Sequence, residues 1–317
     1  MMSQNPSGTR PAPRRAHRTY VLRRVGVAMA ILGLIYAGVA SAQSLFGGHD
    51  NVYVSALSTA AADSSVLDTV LVHVAPTAAP TMLNPATRAP ATTPGDTGRT
   101  PTVADPARVY IAGDSDAGAF APFLERLLIK TGVVRTTLDY KVSSGLTRPD
   151  FYDWPARLAK QLPKLEPDIV IVTFGGNDGQ PIHGLNKPVD SPEWRAEYAR
   201  RVGDVMDLLG GDGRTLIWIG VPNDNDPVTT AHLKIQNEVV RDQVTQHPAV
   251  VFIDSWAMFS GLDGGYAEYV TDPRDGISKR VRSSTDGFHL NSTGADILAL
   301  AIAEAVVTDL RERGAAI

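Results

Sequence analysis

The sequence predicts a three-layer α/β/α domain built on a mostly parallel, five-stranded sheet, and three observations predict it. From about residue 105, short runs of continuous apolar residues recur, each bounded by Gly, Pro or Asp. Such runs fit strands covered on both faces. Stretches with helical spacing separate them, and that alternation builds parallel sheets through right-handed crossovers. Finally, the glycines and polar residues that carry chemistry fall directly after the apolar runs. In open α/β sheets, ligands bind beyond the C-terminal ends of the strands.

The elements follow in order. "RVYIAG" (108–113), "DIVIVTF" (168–174), "TLIWIG" (215–220) and "VVFID" (250–254) are the strong strands, and "TTLDYKV" (136–142) is a weaker one. Helices are predicted over "FAPFLERLLIKTG", "WPARLAKQL", "SPEWRAEYARRVGDVMDLLG", "TTAHLKIQNEVVRDQV" and "NSTGADILALAIAEAVVTDLRERG". Ser191 before Pro192 is an N-cap with proline in the first helical position, and Gly210 is a stop.

The chain before this domain divides into three parts. Residues 1–24 carry Arg10, Arg14, Arg15, Arg18, Arg23 and Arg24, and an uncharged apolar run follows from Val25 to Ala40. With Ala40-Ser41-Ala42 behind it, segment 25–42 reads as a signal-peptide core or a transmembrane anchor, the long basic region favouring the anchor. Arginines on the N-terminal side hold that end inside and send the remainder outward. Residues 43–104 are rich in Ala, Thr, Ser and Pro and read as a stalk, which leaves 105–317 as the catalytic domain. The expected location is the cell envelope on the periplasmic side, tethered by this segment or secreted after cleavage.

Composition excludes several classes. A net charge of −4 and a pI near 6.0 give no basic footprint for nucleic acid. With no cysteine among the 317 residues, disulfides, thiolate metal sites and a cysteine nucleophile are ruled out. No cofactor and no metal are expected.

After the first strand stand Gly113, Asp114, Ser115 and Asp116; after the weak strand comes "SSGLTRPDF" with Gly145; after the next comes "GGNDGQ" with Asn177. Asp286 and His289 lie in "TDGFHL", just before the last helix. A serine hydroxyl becomes a nucleophile when an imidazole takes its proton, and the imidazole needs a carboxylate to fix its tautomer. Ser115, His289 and Asp286 fit those roles. The backbone N–H groups of Ser115 and Gly145 and the side-chain amide of Asn177 fit an oxyanion hole.

This order of blocks resembles the SGNH or GDSL hydrolase superfamily over essentially all of 105–317. The resemblance implies a flavodoxin-like sheet, with Ser115 as nucleophile, Gly145 and Asn177 completing the oxyanion hole, and Asp286 and His289 finishing the triad. It also implies a cell-envelope esterase or O-acyltransferase whose partner is a small-molecule or glycan ester. Asp116 departs from the pattern, because the name-giving motif has leucine there. An anion beside the oxyanion hole slows catalysis unless it points away, for instance as the N-cap of the following helix, and the role of Asp116 stays open.

Two other classes stay open. In a metal-dependent phosphatase, Asp114 is the nucleophile, Asp116 the acid, and Asp224 or Asp226 a magnesium ligand. A non-catalytic carbohydrate-binding domain is the second. Gly-x-Ser-x-Gly, the elbow of the α/β-hydrolase fold, is missing because Ala117 stands in its last position. Asp178, Asn223, Asp224 and Asp226 are expected to be structural. Lys279, Arg280 and Arg282 are expected in a solvated loop before the triad pair, within reach of an anionic glycan. Phe151, Tyr152 and Trp154 are expected to line a cleft or to pack in the core.

Overall fold

The computed structural model describes Ala86, Thr87 and residues 99–317. The basic region, the apolar segment and most of the stalk predicted above lie outside those residues. No helix among the described residues is long and apolar enough to cross a membrane.

Five strands occupy the predicted places: β2 (Ala107–Gly113), β3 (Val134–Tyr140), β4 (Ile169–Thr173), β5 (Thr215–Ile219) and β6 (Val251–Ile253). They pair in parallel in the order β6-β5-β4-β2-β3, so the first strand of the domain lies inside the sheet. A sixth, β1 (Ala86–Thr87), adds antiparallel to the β6 edge, with Ala86 opposite Ile253. The sequence placed it in the stalk. A two-residue strand has no periodicity to read, and an edge strand tolerates the preceding Pro85.

The strands read as continuous apolar runs because both faces are covered. On one face, Val109, Ile111, Ile171, Ile217, Ile219 and Ile253 pack with α1 (Ser115–Ile129), through Phe120 and Leu124, and with the last helix (Ser292–Glu312), through Ile302 and Val306. Tyr110, Ala112, Val170, Val172 and Trp218 face the other way. There they meet Trp154, Trp194 and Val239, which come from α2 (Trp154–Leu165), α3 (Pro192–Leu209) and α4 (Pro227–Gln246). Adjacent residues of one strand thus serve opposite layers.

Short polar side chains start each helix. Asp153 accepts from Ala156 N–H, Ser191 from Trp194 N–H, Asp226 from Thr229 N–H, and Asn291 from Gly294 N–H. Ser191 and Gly210 bound α3 as the sequence predicts. Two features are additional: a one-turn α5 (Ser255–Met258), and a hairpin of β7 (Tyr269–Thr271) with β8 (Ser278–Arg280). The last helix is α6.

Lys279 and Arg280 sit on β8 in ion pairs, Lys279 with Asp272 and Asp275 and Arg280 with Glu268. Arg282 departs from the solvated loop expected for it. It is fully buried.

Candidate active site

The nucleophile candidate is aimed by a glycine. Gly113 ends β2 with φ of 153°, and a Cβ there would stand 2.3 Å from the Thr173 carbonyl oxygen of β4. Only a residue without a side chain lets the chain leave the sheet this close to its neighbour. Asp114 then caps α1 by accepting from Asp116 N–H at 3.0 Å, and Ser115 becomes the first residue of the helix. The N-cap is therefore Asp114, two residues before Asp116, for which the sequence left that role open.

Ser115 Oγ lies 2.9 Å from His289 Nε2, and His289 Nδ1 lies 2.8 Å from Asp286 Oδ2. The other carboxylate oxygen, Asp286 Oδ1, accepts from the backbone N–H groups of Phe288 and His289, both at 3.1 Å. Burial works against the charge of Asp286, but the hydrogen bonds from His289 and Phe288 outweigh it and hold the carboxyl below its ordinary range. Asp286 is therefore an anion at neutral pH, which fixes the proton of His289 on Nδ1 and leaves Nε2 to accept from the serine.

The other two residues meet in a second cluster. Asn177 Nδ2 donates to Ser144 O at 3.0 Å, next to Gly145. Beneath them the fully buried Asp178 accepts from Leu146 N–H, Thr147 N–H, Thr147 Oγ1 and Tyr198 OH. A Cβ on Gly145 would fall 2.1 Å from Asp178 Oδ1, so this approach requires glycine. The two clusters touch at Gly176, where a Cβ would lie 3.2 Å from the Phe288 ring and 3.3 Å from Asp114 Oδ2. All five predicted site residues thus converge on the C-terminal rim of the sheet.

The structural expectations for Asp178, Asn223, Asp224 and Asp226 agree with their contacts. Asp226 caps α4, Asp224 accepts from Asp226 N–H, and Asn223 bridges Ser260 and Arg282. Trp154 belongs to the core, with its Nε1–H on Ser144 Oγ, whereas Phe151 is half exposed. The metal-phosphatase arrangement is not favoured, since Asp114 is completely buried as a helix cap and Asp224 and Asp226 are engaged in turns. Among the described residues no three His, Cys, Asp or Glu side chains come together as metal ligands.

Two carboxylates fit poorly with water excluded. Asp114 Oδ2 and Asp116 Oδ2 are buried without a hydrogen-bond partner. Burial first, and then the neighbouring Asp116 charge, push Asp114 well up. For Asp116, burial raises the pKa while the fields of His289 and Arg282 oppose it. A carboxyl whose folded pKa is raised contributes stability fully below its unfolded value, near ~3.9, and loses it as pH rises through the folded value. Asp116→Asn is therefore expected to fold and to be more stable than the natural protein at pH 7, with the difference shrinking toward pH 4. Thermal unfolding across that range measures it; a variant less stable at pH 7 than at pH 4, relative to the natural chain, contradicts the assignment.

Several solved structures are similar to this chain. LAE5, an α/β hydrolase enzyme from the metagenome of Lake Arreo, Spain, is 17% identical, with a TM-score of 0.47 over 63% of this chain and 95% of that one. A GDSL-like lipase from Bacteroides thetaiotaomicron VPI-5482 is 15% identical, with a TM-score of 0.46 over 63% and 88%. A carbohydrate acetylesterase family member from Sinorhizobium meliloti is 14% identical, with a TM-score of 0.46 over 64% and 99%. Likeness at this level does not carry function, which is read here from the site. No curated protein matches the chain. Residues 108–305 match the family described as "Protein of unknown function (DUF459)", and the chain belongs to that family.

Proposed function

We propose that the domain is a serine-dependent acyl-transfer enzyme, an esterase or O-acyltransferase, acting on an ester such as an O-acyl group of an envelope glycan. The observation that carries this reading is the continuous chain of contacts from Ser115 Oγ to His289 to Asp286, at 2.9 and 2.8 Å. These lengths lie within the reach that a nucleophile and its base require.

Ser115 Oγ attacks the ester carbonyl carbon as its proton passes to His289 Nε2. The carbonyl oxygen becomes an oxyanion, received by the N–H groups of Ser115 and Gly145 and the amide of Asn177. Asn177 gives one amide hydrogen to Ser144 O and keeps the second for this task. Collapse breaks the ester C–O bond, and the imidazolium returns its proton to the departing alcohol. Water or a second hydroxyl then attacks the acyl-serine by the same steps in reverse. The two acceptors distinguish an esterase from a transferase.

Ser115→Ala is expected to lower turnover of a short-chain aryl ester by ~10⁴-fold or more, and Asn177→Ala by ~10²- to 10³-fold with a smaller change in KM. Steady-state kinetics on folded variants decide the matter. An active Ser115→Ala protein, or one that cleaves phosphate esters through Asp114, overturns the proposal.

We also propose that the domain works outside the cytoplasmic membrane, in support of which stand the six arginines before an uncharged apolar run and the proline-rich stalk behind it. A reporter that is active only after export, fused behind Ile317, is expected to be active. Activity of a cytoplasm-only reporter at the same position contradicts it.

A further inference from the structure

Arg282 is the one fully buried arginine of the described core, and its surroundings are unusual for a cation. Among the described residues no carboxylate pairs with it. Its guanidinium donates instead to neutral oxygens: Nη1 to Phe288 O at 3.0 Å, Nη2 to Asn223 Oδ1 at 2.6 Å and to Phe259 O at 2.9 Å, and Nε to Ala267 O at 3.3 Å. The group also lies 5.2 Å from the centre of the Tyr266 ring and 5.9 Å from that of Phe259. Burial pushes its pKa down to about 10, the direction expected when a cation is desolvated. Asp116 and Asp224 act on it through their fields but not as ion-pair partners, and a buried cation held this way is a poor device for stability alone, where an apolar side chain of similar volume does better. Its place in the fold calls for another explanation.

The acceptors supply one. Phe288 O belongs to the peptide that leads into His289, and the segment is tied again by Ser283 N–H to His289 O at 2.8 Å and Asn291 N–H to Val281 O at 2.9 Å. Arg282 and Leu290 face each other across this bridge. The other acceptors come from the loop after β5, from the end of α5 and from the loop before β7. One planar fork therefore fixes the backbone of His289 against three separate segments, which a lysine cannot do.

We propose that Arg282 is a positioning residue for the general base: it holds the Phe288–His289 peptide so that the imidazole stays at hydrogen-bond distance from Ser115. The inference rests on the serine mechanism proposed above. It places a further requirement on the DGFH segment, that the base be held from below by a cation as well as from the side by Asp286.

The test uses the full chain and two readouts, the rate at which a fluorophosphonate labels Ser115 and the kcat and KM for a short-chain aryl ester, each normalised to folded protein. Arg282→Lys keeps the charge and loses the fork. Its labelling rate and kcat are expected to fall together by ~10- to 100-fold, with KM within about twofold and the pH–rate profile unshifted, because misplacement of a catalytic group acts on the transition state. Asn223→Ala removes one anchor of the fork and is expected to show a smaller loss, ~3- to 10-fold, of the same kind. If Arg282→Lys does not fold, Asn223→Ala decides by the same readouts. Folded variants labelled at the natural rate overturn the inference, as does a loss that only follows the unfolded fraction. A natural protein that is not labelled at Ser115 removes the serine mechanism itself, and the inference with it.

Discussion

The hydrogen bond between Ser115 and His289 joins residues 174 positions apart, one at the start of the first helix and one just before the last. Its 2.9 Å length is set by the layer beneath it. Because β2 lies inside the sheet and α6 returns to the face already occupied by α1, the two ends of the domain arrive at the same rim. The apolar packing of Phe120 and Leu124 with Ile302 and Val306 therefore does more than stabilise the fold. It sets the distance between Ser115 Oγ and His289 Nε2.

The buried carboxylates around this contact divide into two kinds. Asp178 receives four donors from two segments, and so it locks the Gly145 loop to α3 through Tyr198. Fully satisfied, it is a rigid strut. Asp114 and Asp116, the two neighbours of Ser115 in the chain, each leave one oxygen buried and unpartnered. Such groups cost stability, and their concentration at one place is what a site shaped for chemistry rather than for stability contains. Arg282 differs from both: every nitrogen of its buried guanidinium is hydrogen-bonded, though to neutral oxygens only.

Much of this was legible in the sequence, for physical reasons. Four of the five parallel strands announce themselves because burial on both faces leaves near-continuous apolar runs, as in "IVIVT" and "TLIWI", whereas β3, "VRTTLDY", is only partly covered and reads weakly. Ser115, Asn177, Asp286 and His289 could be read as site candidates because each follows a strand or precedes a helix, where the fold exposes backbone and side chains to a ligand. Other features left no such trace. The β7–β8 hairpin is two strands of three residues, too short for a period. Arg282 looked solvated because Lys279 and Arg280 stand beside it, and only the tertiary arrangement of neutral carbonyls tells the three apart. The sequence left the role of Asp116 open, with the cap of α1 as one choice, but Asp114, two residues earlier, is the cap.

The central claim is that Ser115 carries the acyl group between two acceptors. The most direct measurement mixes the full chain with an aryl ester, quenches in acid on the millisecond scale and weighs the peptide that contains Ser115. The account predicts a mass increase of one acyl group on that serine, formed in step with a burst of the aryl alcohol and lost as turnover proceeds. Ester turnover without any acylated serine, or acylation at another residue, would contradict it.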